Sequence, residues 1–306
     1  MRIHRGIRPR EEITMLKSTF LHIRGIGVTQ ERRLWDAGIL SWEDFLNNNT
    51  PPMIIKKRGA LIAAIKESIN RLEERNPQYF VQRLPPNQWW RLFRDFRERI
   101  AYIDIATTSL YGMITTIALY DGRRIKTYVR GKNLYRFKND IQKYEILVTY
   151  NGKCFDVPFI ESDLGITLRQ VHIDLRYLLK SLGFYDGLKG CERIVGVDRN
   201  DLAGLEDYHA IFLWKEYKSG EEKALDTLLA YNCQNAVSLE ILMVIAYDLK
   251  LQNTPFLETH GLSLPTSPRI PYKADPATVD GIRKKGDWTW SDQAGNRYRT
   301  DPVTVD

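Results

Sequence analysis

Three cysteines in 306 residues, Cys154, Cys191 and Cys233, stand far apart, and none forms a Cys-x-x-Cys pair. That spacing excludes a typical structural zinc site and offers no disulfide framework, so a reducing compartment is the expected home and buried thiols the expected role. The string Met1 to Arg10 is basic and lacks the apolar stretch of a secretory leader. No run reads as long and apolar enough to cross a membrane. A soluble, cytoplasmic chain is expected. There are no internal repeats.

What is present is an ordinary globular composition, 43% hydrophobic and 27% charged. Its length has room for about two domains at roughly 100 to 200 residues each. Lys and Arg exceed Asp and Glu by 45 to 38, with a pI near 9.2. That mild excess fits a phosphate-bearing partner, DNA or RNA.

Residues 1–85 read as a small helical domain. Short amphipathic stretches cover Glu31 to Gly38 and Ser41 to Leu46, with Ser41 as N-cap, and a longer helix runs from Pro52 to Arg75. Pro77, Pro85 and Pro86 end that pattern, and the period changes. Arg99 to Ile105, Met113 to Tyr120 and Arg124 to Val129 are rich in Ile, Val, Thr and Tyr, with Asp121-Gly122 as a hairpin turn. Strand and helix then alternate: helix from Leu134, strand from Glu145 to Tyr150, helix from Phe155 to Asp163, strand at Val171 to Ile173, and helix from Leu175. After a glycine-rich link, helices are expected over Asp201 to Tyr217 and Leu225 to Leu249. A meander followed by alternation predicts an α/β fold, a mixed sheet flanked by helices, over 90–252. Residues 253–306 turn to Pro, Thr, Asp and Lys and read as an extended tail that Trp288, Trp290 and Tyr298 could anchor.

Three strings carry the chemistry. In Ile103-Asp104-Ile105-Ala106-Thr107-Thr108-Ser109-Leu110, positions 104 and 106 of a strand face the same way. In Asn151-Gly152-Lys153-Cys154-Phe155-Asp156-Val157-Pro158-Phe159, Asp156 lies just after a strand at a helix start. In Tyr231-Asn232-Cys233-Gln234-Asn235, positions 231 and 235 are one helical turn apart. Phosphodiester hydrolysis by two metals needs carboxylates converging from such separate elements. Mg²⁺ prefers oxygen ligands, and ions about 3.5–4 Å apart clamp the attacking and leaving oxygens.

Over about Ile100 to Leu249 the chain resembles the DEDD exonucleases of the ribonuclease-H-like superfamily, in the subgroup with a third-motif tyrosine, and within it the YprB-like proteins. Val171-His172-Ile173-Asp174-Leu175 and Gly187-Leu188-Lys189-Gly190-Cys191-Glu192 belong to the same likeness. The resemblance implies a ribonuclease-H-like fold, 3′ to 5′ exonuclease activity and two Mg²⁺ or Mn²⁺ ions. It places the metal-bridging acid on Asp104 and the support of the second metal on Asp156. The nucleophile-activating metal would fall to positions 106 and 235, and the orientation of water to Tyr231. Thr107, Thr108, Leu110, Asn151 and Phe155 would contact the bound nucleic acid. Position 106, however, is alanine and position 235 asparagine. The local formal charge is near −2 instead of −4, which can balance one divalent ion but not two. Very weak nuclease activity or none is expected, and the alternative is a binding protein that does not cut. Deliberate inactivation and natural degeneration would both leave this pattern. His172 and Asp174 read as structural, Asp174 as an N-cap.

Near the N-terminus, His22-Ile23-Arg24-Gly25-Ile26-Gly27-Val28 before a helix resembles a helix-hairpin-helix element. Glycines there would let the backbone turn and offer amide groups to a phosphate. Arg24, Gly25 and Gly27 are the contacts expected, with Arg32, Arg33, Lys56, Lys57 and Arg58 adding positive charge. The same string would equally serve as a helical turn that only packs.

Overall fold

The computed structural model describes residues 14–47, 58–109, 112–285, 290–291 and 297–298. They divide into two compact units, Met1–Arg99 with Met243–Leu264, and Ile100–Leu242 with Pro265–Asp306.

The first unit carries helices α1 (Val28–Asp36), α2 (Trp42–Asn47), α3 (Arg58–Glu73) and α4 (Pro77–Val81). Ser41 caps α2 as its sequence predicts: its hydroxyl accepts from the Asp44 backbone N–H at 3.1 Å, and the Asp44 carboxylate accepts from Leu40 N–H at 3.0 Å. The expected start of α3 at Pro52, with Lys56 and Lys57, lies outside the described residues. The core is aromatic. Trp42 and Phe80 stack with centroids 6.2 Å apart, and His22 lies 5.3 Å from the first ring and 5.7 Å from the second. Trp90 and Phe93, in the 3-10 turns of Pro86–Leu92 and just beyond, pack on Tyr247. That packing carries the first unit past residue 85.

A buried ion pair ties these turns to α1. Arg91 and Glu31, 5% and 1% exposed, meet at 3.0 Å, and Glu31 also accepts the backbone N–H groups of Phe20 (2.7 Å) and Leu21 (3.2 Å). Removing one partner of such a pair leaves an uncompensated buried charge, which costs about 3–5 kcal/mol. Glu31→Ala is therefore expected to lower unfolding free energy by about that amount in urea titrations. A loss below about 1 kcal/mol would show that the pair does not hold this turn.

The second unit is built on a five-stranded sheet of order β3-β2-β1-β4-β5, from β1 (Ile100–Thr107), β2 (Ile114–Tyr120), β3 (Ile125–Val129), β4 (Ile146–Thr149) and β5 (Val171–Asp174). The first three strands form the antiparallel meander, with Gly122 (φ 83°) at its hairpin turn, and β4 and β5 add in parallel beside β1. Helices α5 (Phe137–Asp140), α6 (Asp156–Leu164), α7 (Leu175–Lys180), α8 (Gly187–Ile194) and α9 (His209–Lys218) follow the alternation. The sequence reads α8 as a link and starts α9 at Asp201. In the structure Gly204 (φ 81°) breaks the chain there, and α9 begins after it. Helix α10 (Glu222–Leu251) runs for 30 residues, and α11 (Leu257–His260) follows. By length and composition α10 could cross a membrane, contrary to the sequence reading. However, 83% of its most apolar stretch is buried, as in the central helix of a packed protein.

The tail departs from its expected extended form. Helix α12 (Pro276–Lys285) begins after Asp275, whose carboxylate accepts from Thr278 N–H at 2.9 Å, and proline takes the first helical position. Val279 and Ile282, one turn apart, are buried against Leu213 and Leu228. Trp290–Ser291 and Arg297–Tyr298 pair as two short antiparallel strands, and Trp288 lies outside the described residues.

Candidate functional site

Alternation along β1 sorts its residues between two cores. Ala101, Ile103 and Ile105 pack with Ile117, Leu147 and Ile160 on one side. Ala106 packs on the other side with Leu205, Leu228 and Tyr231, and Asp104 shares that face. Opposite Ala106 in the antiparallel register stands Thr116 of β2.

The Asp104 carboxylate is held by amides. Its Oδ2 accepts from Asn232 Nδ2 at 2.6 Å and from Asn235 Nδ2 at 3.2 Å, and the Thr116 hydroxyl fixes the Asn232 amide by donating to its oxygen. Asn235 Oδ1 in turn accepts from Arg199 Nη2 at 2.7 Å, and Arg199 pairs with Glu192, which is 1% exposed. Burial first, and then the Asp207 charge, raise the Asp104 pKa to about 7 against the pull of the two amides.

Asp156 is the first residue of α6 and only 5% exposed. Burial first, and then the charge of Asp104, push its pKa well above the ordinary range. Tyr231 donates its hydroxyl to Asp207 at 2.6 Å, with Lys189 and Arg199 lying 5.3 and 5.6 Å from its ring centroid. The fold thus brings Asp104, Asp156, Tyr231 and Asn235 together, with Ala106 beside them.

These residues do not fit a two-metal centre. Of the four positions expected to carry acids, only 104 and 156 do; position 106 ends in a methyl group, and position 235 gives an N–H to Asp104 at 3.2 Å where a ligand would give an oxygen. The nearest cation to Asn235 is the chain's own guanidinium. Among the described residues, no group of three or more His, Cys, Asp or Glu side chains is placed to hold a metal. Sequence reasoning missed Asn232, Thr116, Arg199 and Asp207. The signal for Arg199 and Asp207 was the run containing Lys189 and Glu192, since Glu192 anchors Arg199 and Lys189 meets Asp207 at 2.5 Å; Asn232 stands inside the third string, and Thr116 carried no signal.

The residues expected to contact nucleic acid have other partners. Thr107 is buried and donates to Ser109 O at 2.8 Å, and Thr108 accepts from Met113 N–H at 3.0 Å. Leu110 lies outside the described residues. Asn151 adopts φ 63°, and its side chain accepts from Arg176 at 2.8 Å. The next residue must be glycine, because a Cβ at Gly152 would lie 2.1 Å from the Thr149 hydroxyl. Phe155 is half-buried against Phe159, with centroids 4.6 Å apart. Asp174 caps α7 through Arg176 N–H at 3.0 Å, and His172, held near pKa 4 chiefly by burial, meets Thr149 at 2.8 Å. Cys191 and Cys233 are buried as expected, but Cys154 is exposed, since it lies in the loop ahead of α6.

In the first unit, Arg24, Gly25 (φ 87°) and Gly27 are exposed ahead of α1. The Gly27 N–H is already taken by Gln30 Oε1 at 3.1 Å. Among the described residues ahead of the hairpin, 15–18 form turns rather than a helix. Side chains supply the reason. Glu31 takes the N–H groups of Phe20 and Leu21, while the indoles of Trp35 and Trp42 take the carbonyls of Ser18 and Thr19 at 3.0 and 2.7 Å.

No curated protein matches the chain. Among solved structures it is similar to the family B DNA polymerase from the hyperthermophilic archaeon Pyrobaculum calidifontis. That likeness has 14% identity and a TM-score of 0.39, and covers 54% of this chain and 27% of the polymerase chain. Residues 101–247 match the family model of the RNase H superfamily. The matched segment holds β2 to β5, all of β1 but Ile100, and positions 104, 106, 156, 231 and 235, and the chain has a ribonuclease-H-like fold, a mixed sheet flanked by helices, with a helical region ahead of it.

Proposed function

We propose that this chain is a nucleic-acid-binding protein on a nuclease scaffold, one that holds a DNA or RNA strand without hydrolysing it. Its lineage on this reading is the 3′ to 5′ exonuclease group with a third-motif tyrosine. The observation that carries the proposal is the amide of Asn235, which donates to Asp104 at 3.2 Å and accepts from Arg199 at 2.7 Å. An aspartate in that place would need a cation to approach Asp104, whereas asparagine satisfies both neighbours as it stands. Asp104 and Asp156 together could balance at most one divalent ion.

Binding of a fluorescein-labelled single strand should then be equal in EDTA and in Mg²⁺, within about twofold, and should weaken steeply with salt, as phosphate contacts do. No nucleotide release is expected from the bound strand. Release with Mn²⁺ would return the chain to the nucleases. Absence of binding to DNA and RNA at low salt would leave an interaction scaffold.

A further inference from the structure

In the first unit, four arginines surround an open cleft of about 340 Å³: Arg75, Arg94, Arg97 and Arg99, with Asp95 and Glu98 between them. None of them belongs to a motif or to the hairpin. Arg75 Nη1 donates to the Asp95 backbone carbonyl at 3.0 Å, Arg94 Nη1 to the His260 carbonyl at 3.3 Å, and the Arg97 guanidinium lies 5.9 Å from the Phe93 ring centroid. Of the two acids, Asp95 is turned inward. Thr14 donates to one of its oxygens at 2.5 Å, and burial lifts its pKa to about 6.

Arg75 adds a second, independent sign. It has φ 55° just past the end of α3, a left-handed position where glycine is the relaxed choice. The chain keeps a long cationic side chain there at a conformational cost, and that side chain lines the cleft.

We propose that this cleft binds phosphate groups, and that its ligand is the sugar-phosphate backbone of a nucleic-acid strand. Guanidinium forks match phosphate oxygens in pairs, and several around one cleft would track a backbone without reading bases. The choice of nucleic acid over free phosphate rests on the function proposed above.

The test uses the full chain in two variants, Arg75→Gly and Arg75→Gly with Arg97→Ala, plus a charge-matched control, Lys138→Ala with Lys218→Ala, both exposed lysines in the second unit. Binding of a labelled single strand is measured against salt, and binding of inorganic pyrophosphate by thermal shift. The double arginine variant should lose at least tenfold in strand affinity at low salt. Its salt slope should be shallower by about 1.4, at roughly 0.7 per lost single-strand contact. The lysine control should keep the parent slope. Arg75→Gly should melt no lower than the parent, since it relaxes the backbone, while still binding more weakly; a packing role for Arg75 would give the reverse. If parent and arginine variants bind the strand alike, the cleft proposal fails while the nucleic-acid reading stands. If the parent ignores nucleic acid but is stabilised by pyrophosphate only with the arginines intact, the cleft binds phosphate and the nucleic-acid reading falls. If the parent responds to neither, both are overturned.

Discussion

Ala106→Glu together with Asn235→Asp is expected to turn the chain into a metal-dependent protein. At position 235 the substitution exchanges an N–H···O contact of 3.2 Å for two carboxylate oxygens at the same separation, an arrangement that repels unless a cation lies between. At position 106, which is 4% exposed, it buries a third acid beside Asp104. In EDTA the variant should unfold several kcal/mol more easily than the parent, because unpaired charges are being buried. Mn²⁺ at a hundredfold excess over its dissociation constant should return about 2.7 kcal/mol, seen as a rise in melting temperature. The parent should show no such shift. End-labelled strand should lose nucleotides with the variant and not with the parent. If Ala106→Glu prevents folding, Asn235→Asp alone still tests the idea through its Mn²⁺-dependent shift. Equal stabilisation of parent and variant by Mn²⁺ would sink it.

The second large effect is a loss of stability on acidification, from His22. This imidazole is 4% exposed between Trp42 and Phe80, bonded through Nε2 to Ser68 at 2.8 Å. Burial first, and then the charges of Arg83 and Arg91, lower its pKa from 6.5 to about 3. The folded chain keeps His22 neutral, whereas the unfolded chain protonates it below pH 6.5. The unfolded state therefore binds more protons between pH 6.5 and about 3, and stability falls with pH through that window. The contribution is fully present above pH 6.5. By pH 4.5 roughly 3 kcal/mol should be gone. Asp95, Asp104 and Asp156 work the other way: their raised pKa values make the folded state the better proton acceptor as pH falls. A paired comparison cancels them. Urea unfolding at pH 7 and 4.5 should cost the parent about 3 kcal/mol more than His22→Gln. Equal losses would show that His22 does not carry the acid sensitivity.

The sheet was legible because its signals are local. Asp121-Gly122 marks the turn between two β-branched runs, and each of β1, β4 and β5 is bounded by a change of period. Helix α8 was not, since Gly187 and Gly190 weaken a helical reading. Packing explains the second glycine: a Cβ at Gly190 would meet Asp186 Cβ at 2.1 Å. Helix α12 was hidden by a run of prolines and polar residues, although Asp275-Pro276 is a helix start in its own right. At the site, Asp104, Asp156, Tyr231 and Asn235 could be read from spacing and resemblance. The other partner of Asp104 could not, because Asn232 meets it across 128 positions of sequence and no periodicity carries that contact. The same holds for Arg199, whose role depends on one buried glutamate and one amide.

Cys154 gives the chain a built-in reporter. It is the exposed thiol of three, two residues ahead of Asp156, with its sulfur 3.6 Å from the Tyr177 hydroxyl, while the other two are sealed in the core. A maleimide dye would therefore attach at one place in the unaltered protein, in the loop that leads into α6. Its emission could follow the arrival of a strand in real time, without any substitution in the residues under test.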